Sequence, residues 1–360
     1  MEQFVSGTRI FCGAGAVGML KSLKARRVLV VTDPFLYENG AARQVAEATG
    51  AEHWEIFHEV APDPNVALAA KGTAAVRKFQ PDLIVALGGG SAMDCAKAMK
   101  YFSGAHARFA AVPTTSGSGS EVTDFAILTH GGVKHPLVDE KLRPDMAVLD
   151  SDFLQKLPRG LIADSGFDVL SHAVEAYGAT NAGAITDALA RDAFCAAFSK
   201  LGASYAGDLT ARLPVHMAAT MAGMAFTQAG LGLCHAMAHS LGGAFHVPHG
   251  RLNAILLPEV IGFNTPGVGG KYAELARSAG LGGSVETIAV RNLRNALARL
   301  RRELGLPETL AQAGVEPARV RQKAGEIVAA ALADPCCETN PVKPDAAGVR
   351  GILERVTGHG

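Results

Sequence analysis

The sequence predicts two domains: an α/β N-terminal domain with a Rossmann-like parallel sheet in residues 1–152, and an all-α C-terminal domain in residues 153–360. With 360 residues, 48% of them hydrophobic, the chain is long enough for two cores. Continuous apolar runs such as VLVVTD and LIVALGGG are typical of buried parallel strands, and they occur in the first part of the chain. From Phe153 onward these runs end, and Ala, Leu and Gly recur at helical spacing.

Strands and helices alternate in the N-terminal domain. We expect an edge strand or hairpin at 4–12, strands at 28–33, 53–57, 83–90 and 146–150 and one ending at Val112, and helices at 16–23, 40–49 and from the APDPN turn to Phe79. Asp33 ends the first buried strand, at the edge where parallel sheets bind ligands. Its carboxylate could bind a ribose diol and repel a 2′-phosphate; the alternative is a helix cap or turn residue before Pro34.

Three glycines join the strand LIVALGGG to an Ala-rich helix that starts near Ser91. This arrangement predicts phosphate binding, because glycines let the backbone approach a pyrophosphate and a helix N-terminus offers free amides. A plain tight turn is the alternative, since the stretch is not GxGxxG. The hydroxyls of Thr114, Thr115 and Ser118 follow the next strand and could line a nucleotide, unless they belong to a flexible polar loop.

The C-terminal domain is predicted to be nearly all helix. We expect helices at about 164–177, 183–201, 214–228, 231–243, 251–263, 268–278, 283–304, 307–313 and 317–332. The turn ETNPVKPD then precedes a last short helix through Val356.

Four histidines lie in CHAMAHSLGGAFHVPHG, within a run from Leu213 to Gly250 that contains no Asp, Glu, Lys or Arg. Such a run is expected to be buried, and buried imidazoles cost free energy unless their nitrogens are bound. His235 and His239 share one helix face, and Pro248 breaks the segment after that helix, so that His249 can fold back toward His235.

The stretch DSGFDVLSHAVEAY supplies further ligand types. Asp164 or Ser165 can cap the helix start, and Asp168 and His172 lie one turn apart. Together with His235 and His249 they offer three nitrogens and one oxygen, a set that suits iron, zinc, cobalt or nickel. A buried Asp–His ion pair is the alternative.

Composition argues against several classes of partner. Lys plus Arg and Asp plus Glu both number 34, which argues against a nucleic-acid partner and a polybasic membrane anchor. The uncharged run makes a poor membrane span, because it holds five histidines, Gln228 and Pro248. Six scattered cysteines without CxxC, and a start lacking signal-peptide features, predict a reduced cytoplasmic protein.

At PTTSGSGSEVT, APDPN, HxxxH and PHG the chain resembles the iron-containing (group III) alcohol dehydrogenases, and the resemblance covers the whole sequence. It implies the dehydroquinate synthase-like fold of that family, with Fe2+ or alternatively Zn2+ bound by Asp168, His172, His235 and His249. It places His239 beside the nicotinamide and the substrate, where we expect proton relay or nicotinamide positioning. His246 is expected to support or pack the site.

The resemblance also implies NAD(H) as cofactor, because an Asp in the place of Asp33 favours NAD over NADP. It assigns phosphate and nicotinamide contacts to Gly89, Gly90, Ser91 and Asp94, nucleotide contacts to Thr114, Thr115 and Ser118, and a ribose hydroxyl to Lys134.

The run AGLGLCHAMAHSLGGAFHVPHG is most similar to the 1-propanol dehydrogenase branch of propanediol-utilisation microcompartments. That branch implies interconversion of small aldehydes, such as propanal or acetaldehyde, and primary alcohols. A related reductase of acidic or sulfonated aldehydes and a non-catalytic structural metalloprotein remain alternatives. We expect a homodimer or higher homo-oligomer, in the cytoplasm or a microcompartment lumen.

Overall fold

The computed structural model of the protein describes residues 4–131 and 133–358. Met1–Gln3, which were considered above for a signal peptide, lie outside the described residues. Contacts divide the chain into two compact units, one spanning Val5–Leu157 and one that contains the residues from Pro158 onward. Within the described residues, none of the helices combines the length and apolar character that crossing a membrane requires.

The first unit is built on a six-stranded parallel sheet in the order β1-β8-β5-β4-β2-β3, with a separate antiparallel hairpin, β6-β7. The strands are β1 Arg9–Cys12, β2 Arg27–Val31, β3 His53–Phe57, β4 Leu83–Gly88, β5 Arg108–Pro113, β6 Phe125–His130, β7 Val133–Val138 and β8 Met146–Leu149. The predicted parallel sheet and the edge position of β1 are confirmed, whereas the β6-β7 hairpin was not predicted.

The central strands are buried on both faces, which explains their continuous apolar sequences. Alternate residues enter two different cores: Val28 and Val30 face one, while Leu29 and Val31 face the other. The helices of this unit are α1 Pro34–Glu38, α2 Ala41–Ala48, α3 Val66–Phe79 and α4 Gly90–Ser103, with a 3-10 helix at Ala16–Leu23.

The strand order reverses between β2 and β4. From β2 the chain moves outward to the edge strand β3, and it then returns to place β4 on the other side of β2. Ligands of open parallel sheets bind at such a switch point, beyond the carboxyl ends of the strands. Asp33 follows β2 and Gly89 follows β4, so both residues lie at this edge.

The second unit is helical. Its helices are α5 Arg159–Gly178, α6 Ala184–Ala206, α7 Arg212–Ala229, α8 Leu233–Phe245, α9 His249–Ser278, α10 Glu286–Glu303, α11 Pro317–Ala333 and α12 Ala346–Thr357. The predicted helices 251–263 and 268–278 belong to the single element α9, which is kinked at Val268, where φ is −138° and ψ is 24°. The α/β and all-α fold classes are therefore confirmed.

Two sequence predictions about the helices of this unit are wrong. Helix α5 begins at Arg159 after Pro158, so Asp164 and Ser165 are interior residues, not caps. Asp164 instead accepts two hydrogen bonds from Arg251, at 3.1 and 3.0 Å. Residues 307–313 form turns, because a segment this short between Pro307 and a left-handed Gly314 (φ 87°) cannot offset helix nucleation.

Candidate functional site

Helices α5, α8 and α9 bring three of the predicted metal ligands together. Ligand atoms of Asp168, His235 and His249 all lie within 4.8 Å of one another. Oδ1 of Asp168 is 3.7 Å from Nε2 of His235 and 3.4 Å from Nε2 of His249. A carboxylate and two imidazoles from three separate helices thus converge on one point.

His172, the fourth predicted ligand, adjoins this cluster. Its Nε2 lies 4.0 Å from Oδ1 of Asp168, one helical turn away on α5. Its ring stacks between His235 and Phe226, with ring centroids 4.5 and 4.4 Å apart. The stack fixes the plane of the imidazole and leaves its edge toward the Asp168 carboxylate.

The chain path between α8 and α9 explains how His249 reaches the cluster. Helix α8 ends at Phe245, the following residue His246 reverses the chain with a φ of 57°, and α9 starts after Pro248. Gly250 then lets α9 approach α5, because a Cβ at this position would lie 1.9 Å from the carbonyl oxygen of Asp164. No side chain larger than hydrogen fits against that backbone. His246 itself is exposed, so the prediction that it packs in the site is wrong.

Glu175 organises the start of α8. Its carboxylate accepts the backbone N–H groups of Cys234 at 2.6 Å and His235 at 3.3 Å, and it lies 2.5 Å from Nδ1 of His235. This residue was not predicted from the sequence. Its signal was an acidic residue three positions after His172, inside a stretch expected to be buried.

Asn253 is a second residue that was not predicted from the sequence. Its amide nitrogen donates to Oδ1 of Asp168 at 2.8 Å and lies 3.4 and 3.2 Å from Nε2 of His235 and His249. Asn253 is fully buried and comes one turn after His249 on α9. Its amide therefore touches the same three atoms that form the cluster.

Neighbouring groups shift the pKa values of Asp168 and His235 in opposite directions. Burial raises the pKa of Asp168, but the neighbouring His172, His249 and His235 outweigh burial and hold it below its usual range. Burial lowers the pKa of His235, and the carboxylates of Asp168 and Glu175 reverse this and raise it to about 9. A buried carboxylate among three imidazoles matches the mixed N/O donor set that iron accepts. The residues present therefore fit a ferrous ion.

His239 lies beside the cluster without belonging to it. Its Nδ1 is 2.8 Å from Oδ2 of Asp334, and its ring is stacked 5.3 Å from that of His249. His239, Asp334 and Cys336 form a second group of potential ligands. Burial holds the pKa of the Cys336 thiol well above its usual value, so this thiol is protonated at neutral pH.

The predicted phosphate loop follows β4. A Cβ on Gly89 would lie 3.0 Å from Oγ1 of Thr115, and one on Gly90 would lie 3.3 Å from Cβ of Ser118. The glycine backbone therefore lies directly against the hydroxyl-bearing loop. Helix α4 starts at Gly90 with no side-chain cap, which leaves its N-terminal amides open to an anion. These features bring together the residues that the sequence predicted here.

Asp33 is placed at the same edge and acts as the N-cap of α1, where it accepts the N–H of Leu36 at 2.9 Å. Its Oδ2 lies 3.7 Å from the position of a Cβ on Gly88. Thr114 is buried and donates its backbone N–H to the carbonyl of Gly88 at 3.0 Å. Asp33 is thus a helix cap, which was the alternative prediction for this residue, and it lies next to the glycine loop.

Asp94 and Lys134 lie near this loop in charged surroundings. Burial raises the pKa of Asp94 to about 6, against the opposing charge of Lys97. Lys134 forms an ion pair with Asp63 at 2.9 Å, so a ribose contact would have to compete with that pair. Lys97, another residue that was not predicted from the sequence, is fully buried and bonds to four oxygens of Ser120, Thr123 and Phe125 at 2.8 to 3.0 Å.

Comparisons with known proteins cover both units. The family profile described as iron-containing alcohol dehydrogenase matches residues 7–151, and that of the C-terminal part of the Fe-containing alcohol dehydrogenase family matches residues 162–357. The chain is 38% identical to 1-propanol dehydrogenase PduQ of Citrobacter freundii, over 99% of this chain and 100% of that protein. It is 36% identical to the NADPH-dependent butanol dehydrogenase of Clostridium saccharobutylicum, over 99% and 98%.

The chain is also similar to solved structures over nearly its whole length. The chain superposes on a 1,3-propanediol oxidoreductase with a TM-score of 0.93 and 31% identity, covering 99% of this chain and 100% of that one. It superposes on the sulfoacetaldehyde reductase of Bifidobacterium kashiwanohense, solved in complex with NAD+, with a TM-score of 0.89 and 25% identity over 99% and 98%.

Proposed function

This chain belongs to the iron-containing alcohol dehydrogenase family, and from that premise we propose that it interconverts small aldehydes and primary alcohols with NAD(H) and Fe2+. One observation carries the proposal more than any other: ligand atoms of Asp168, His235 and His249 converge within 4.8 Å in a buried site. The resemblance to 1-propanol dehydrogenase favours aldehydes of two or three carbons.

Asp168, His172, His235 and His249 are the residues that would hold the metal. When both cofactors are bound, the ion supplies a Lewis acid for the substrate oxygen and the nicotinamide supplies or accepts the hydride. Both matching family profiles are named for iron, so we assign iron to the site. Glu175 fixes the His235 ring through Nδ1, which keeps Nε2 available as a ligand.

His239 is proposed to move the proton. Its Nδ1 is held by Asp334, so its Nε2 is the atom that can exchange a proton with the substrate oxygen, directly or through a water or ribose hydroxyl. Burial raises the pKa of Asp334, but the hydrogen bond and charge of His239 outweigh burial and lower it to about 2. The carboxylate therefore remains ionised at neutral pH and orients the His239 ring.

The nucleotide is proposed to bind at the switch point of the parallel sheet. Gly89, Gly90 and Ser91 would contact phosphates at the uncapped start of α4. Thr114, Thr115, Ser118, Asp94 and Lys134 are the further contacts that the family resemblance assigns. Asp33 would bind the ribose diol and repel the 2′-phosphate of NADP, which supports NAD(H) although one relative is named NADPH-dependent.

A homo-oligomer, in the cytoplasm or in the lumen of a bacterial microcompartment, is part of the same proposal and depends on the resemblance to the propanediol-utilisation branch. Sedimentation velocity of the iron-loaded protein tests the oligomer. A monomer at micromolar concentration would contradict it.

The decisive test is an anaerobic assay of NADH oxidation by protein reconstituted with Fe2+ and by the same protein freed of metal. We expect turnover of propanal and acetaldehyde only with iron. A second candidate, reduction of sulfonated aldehydes, is favoured by the similarity to sulfoacetaldehyde reductase, so sulfoacetaldehyde belongs in the panel. A higher kcat/KM for sulfoacetaldehyde than for propanal would make reduction of sulfonated aldehydes the preferred function. Absence of turnover with every aldehyde and alcohol would refute both.

A further inference from the structure

A polar cavity lies in the helical unit. It has a volume of about 270 Å³ and is lined by residues of α9, α10, α12 and the turn after α10. Its charged residues, called here the arginine pocket, are Arg291, Arg294, Arg301, Arg355, Glu259 and Glu308. None of them belongs to the predicted metal or nucleotide sites.

Arg301 is the buried member of the arginine pocket, with 6% of its surface exposed. Pro258 has no N–H to give to the carbonyl of Ala254 one turn earlier, and Nη1 of Arg301 donates to that oxygen at 3.2 Å. Nη2 donates to Glu308 at 3.3 Å, whereas Nε is buried and has no hydrogen-bond partner among the described residues. An unbonded buried N–H of a charged group is costly.

Each carboxylate of the arginine pocket already binds two guanidinium groups. Glu259 binds Arg294 at 3.1 Å and Arg355 at 2.6 Å, and Glu308 binds Arg301 at 3.3 Å and also Arg302. Arg291 is exposed and has no ion pair within the described residues.

Four guanidinium groups thus face two carboxylates, and the arginine pocket keeps a surplus of positive charge and of N–H donors. Guanidinium groups match phosphate oxygens in pairs of parallel hydrogen bonds, and such charge-assisted bonds are strong.

We propose that the arginine pocket is a binding site for a small phosphorylated anion, distinct from the nucleotide and metal sites. A phosphate monoester carries close to two negative charges at neutral pH, which matches the surplus of the pocket. The cavity lies just below the range of about 300–1,000 Å³ that drug-sized ligands occupy, so the organic part has only a few carbons.

Binding is tested on the iron-loaded, NAD-saturated protein with glycerol 3-phosphate and with inorganic phosphate as probes, by calorimetry and thermal shift. Glycerol and sodium chloride at matched ionic strength are the controls for the organic part and for charge screening. NAD saturation keeps the probes away from the proposed phosphate loop at α4. The pocket variants are Arg291→Ala and the double variant with Arg355→Ala; Arg299→Ala, an exposed residue of α10 outside the cavity, is the matched control.

We expect saturable binding to the wild type, weakened about tenfold by Arg291→Ala and more by the double variant, because each change removes a charge-assisted bond. Arg299→Ala should bind like the wild type. Binding of inorganic phosphate as tight as that of the ester would identify the phosphate group alone as the ligand. Two results would overturn the proposal. One is a wild type whose response to the phosphate probes is no larger than its response to sodium chloride. The other is a double variant that binds the probes as tightly as the wild type does.

Discussion

Oε2 of Glu175 lies 2.5 Å from Nδ1 of His235, and the same carboxylate holds two backbone N–H groups at the start of α8. His235 is therefore fixed in both its position and the orientation of its ring. A histidine whose Nδ1 is bound in this way presents Nε2 to the cluster with Asp168 and His249.

Glu175→Gln should weaken iron binding about 10- to 100-fold, because outer partners of histidine ligands contribute that much to metal affinity. Competition with a chelator, followed by metal analysis, measures the change. Glu303→Gln, an exposed glutamate of α10, is the control and should bind iron like the wild type. Equal affinities of both variants would show that Glu175 has no role in metal binding.

His235→Ala and His249→Ala should each lose bound iron and activity while they still bind NAD, because each removes one nitrogen from the three-atom cluster. Iron content is measured after desalting, and NAD binding by fluorescence titration. His246→Ala changes an exposed histidine outside the cluster and should keep both properties. Full metal content and turnover in either cluster variant would refute the ligand assignment.

His239→Ala should lower kcat at least about 100-fold while iron is retained, since general acid–base groups typically contribute that much. Asp334→Asn should lower kcat in the same direction, because it removes the charge that orients Nδ1 of His239. Steady-state kinetics paired with metal analysis separates this role from metal binding. Loss of iron in His239→Ala would make this histidine a ligand.

Asp33→Gly should raise the kcat/KM ratio of NADP over NAD about tenfold or more, because a carboxylate that repels the 2′-phosphate is removed. The change also removes the N-cap of α1, at a stability cost of about 0.3 kcal/mol, because glycine is itself tolerated as an N-cap. Asn65→Gly removes the equivalent cap of α3 and is the control for that cost. Unchanged cofactor selectivity in Asp33→Gly would place this residue outside the cofactor site.

Lys97→Met should lower the free energy of unfolding by about 2–4 kcal/mol, because it leaves buried oxygens of the Ser120–Phe125 segment without a donor. Lys71→Met, an exposed partner of Glu59, is the control and should cost less than about 1 kcal/mol. Urea denaturation measures both.

The same lysine gives a pH dependence. Burial lowers the pKa of Lys97 from 10.5 to about 8 in the folded protein. Between these values the unfolded chain binds more protons, so the wild type should gain stability relative to Lys97→Met as pH rises from about 8 to 10. A difference between the two proteins that stays constant over this range would contradict the shifted pKa.

The sequence was sufficient for features with a local signature. The buried strands, the glycine loop and the i,i+4 pairs of Asp168 with His172 and of His235 with His239 all follow from spacing along one element. The start of α5 and the turns at 307–313 were missed because a helix end depends on a balance of small terms that spacing does not report.

Long-range partners could not be predicted. Asn253 meets Asp168 from a position 85 residues away, and the contact exists only because α9 crosses α5 at a particular distance. Nothing in the isolated sequence of α9 distinguishes this asparagine from a satisfied core residue. The arginine pocket is likewise assembled from three helices and one turn, and the charges of each segment taken separately are typical of a solvated surface.

Gly250 sets the backbone spacing on which the proposed metal site depends. Its missing Cβ is the reason why the first turn of α9 can rest on the carbonyl of Asp164. A chain with every donor atom intact and one extra methyl group at this position would hold those atoms too far apart to share a cation. The spacing of the proposed ligand atoms therefore depends on how closely α9 packs on α5, and the absence of a side chain at Gly250 permits that distance.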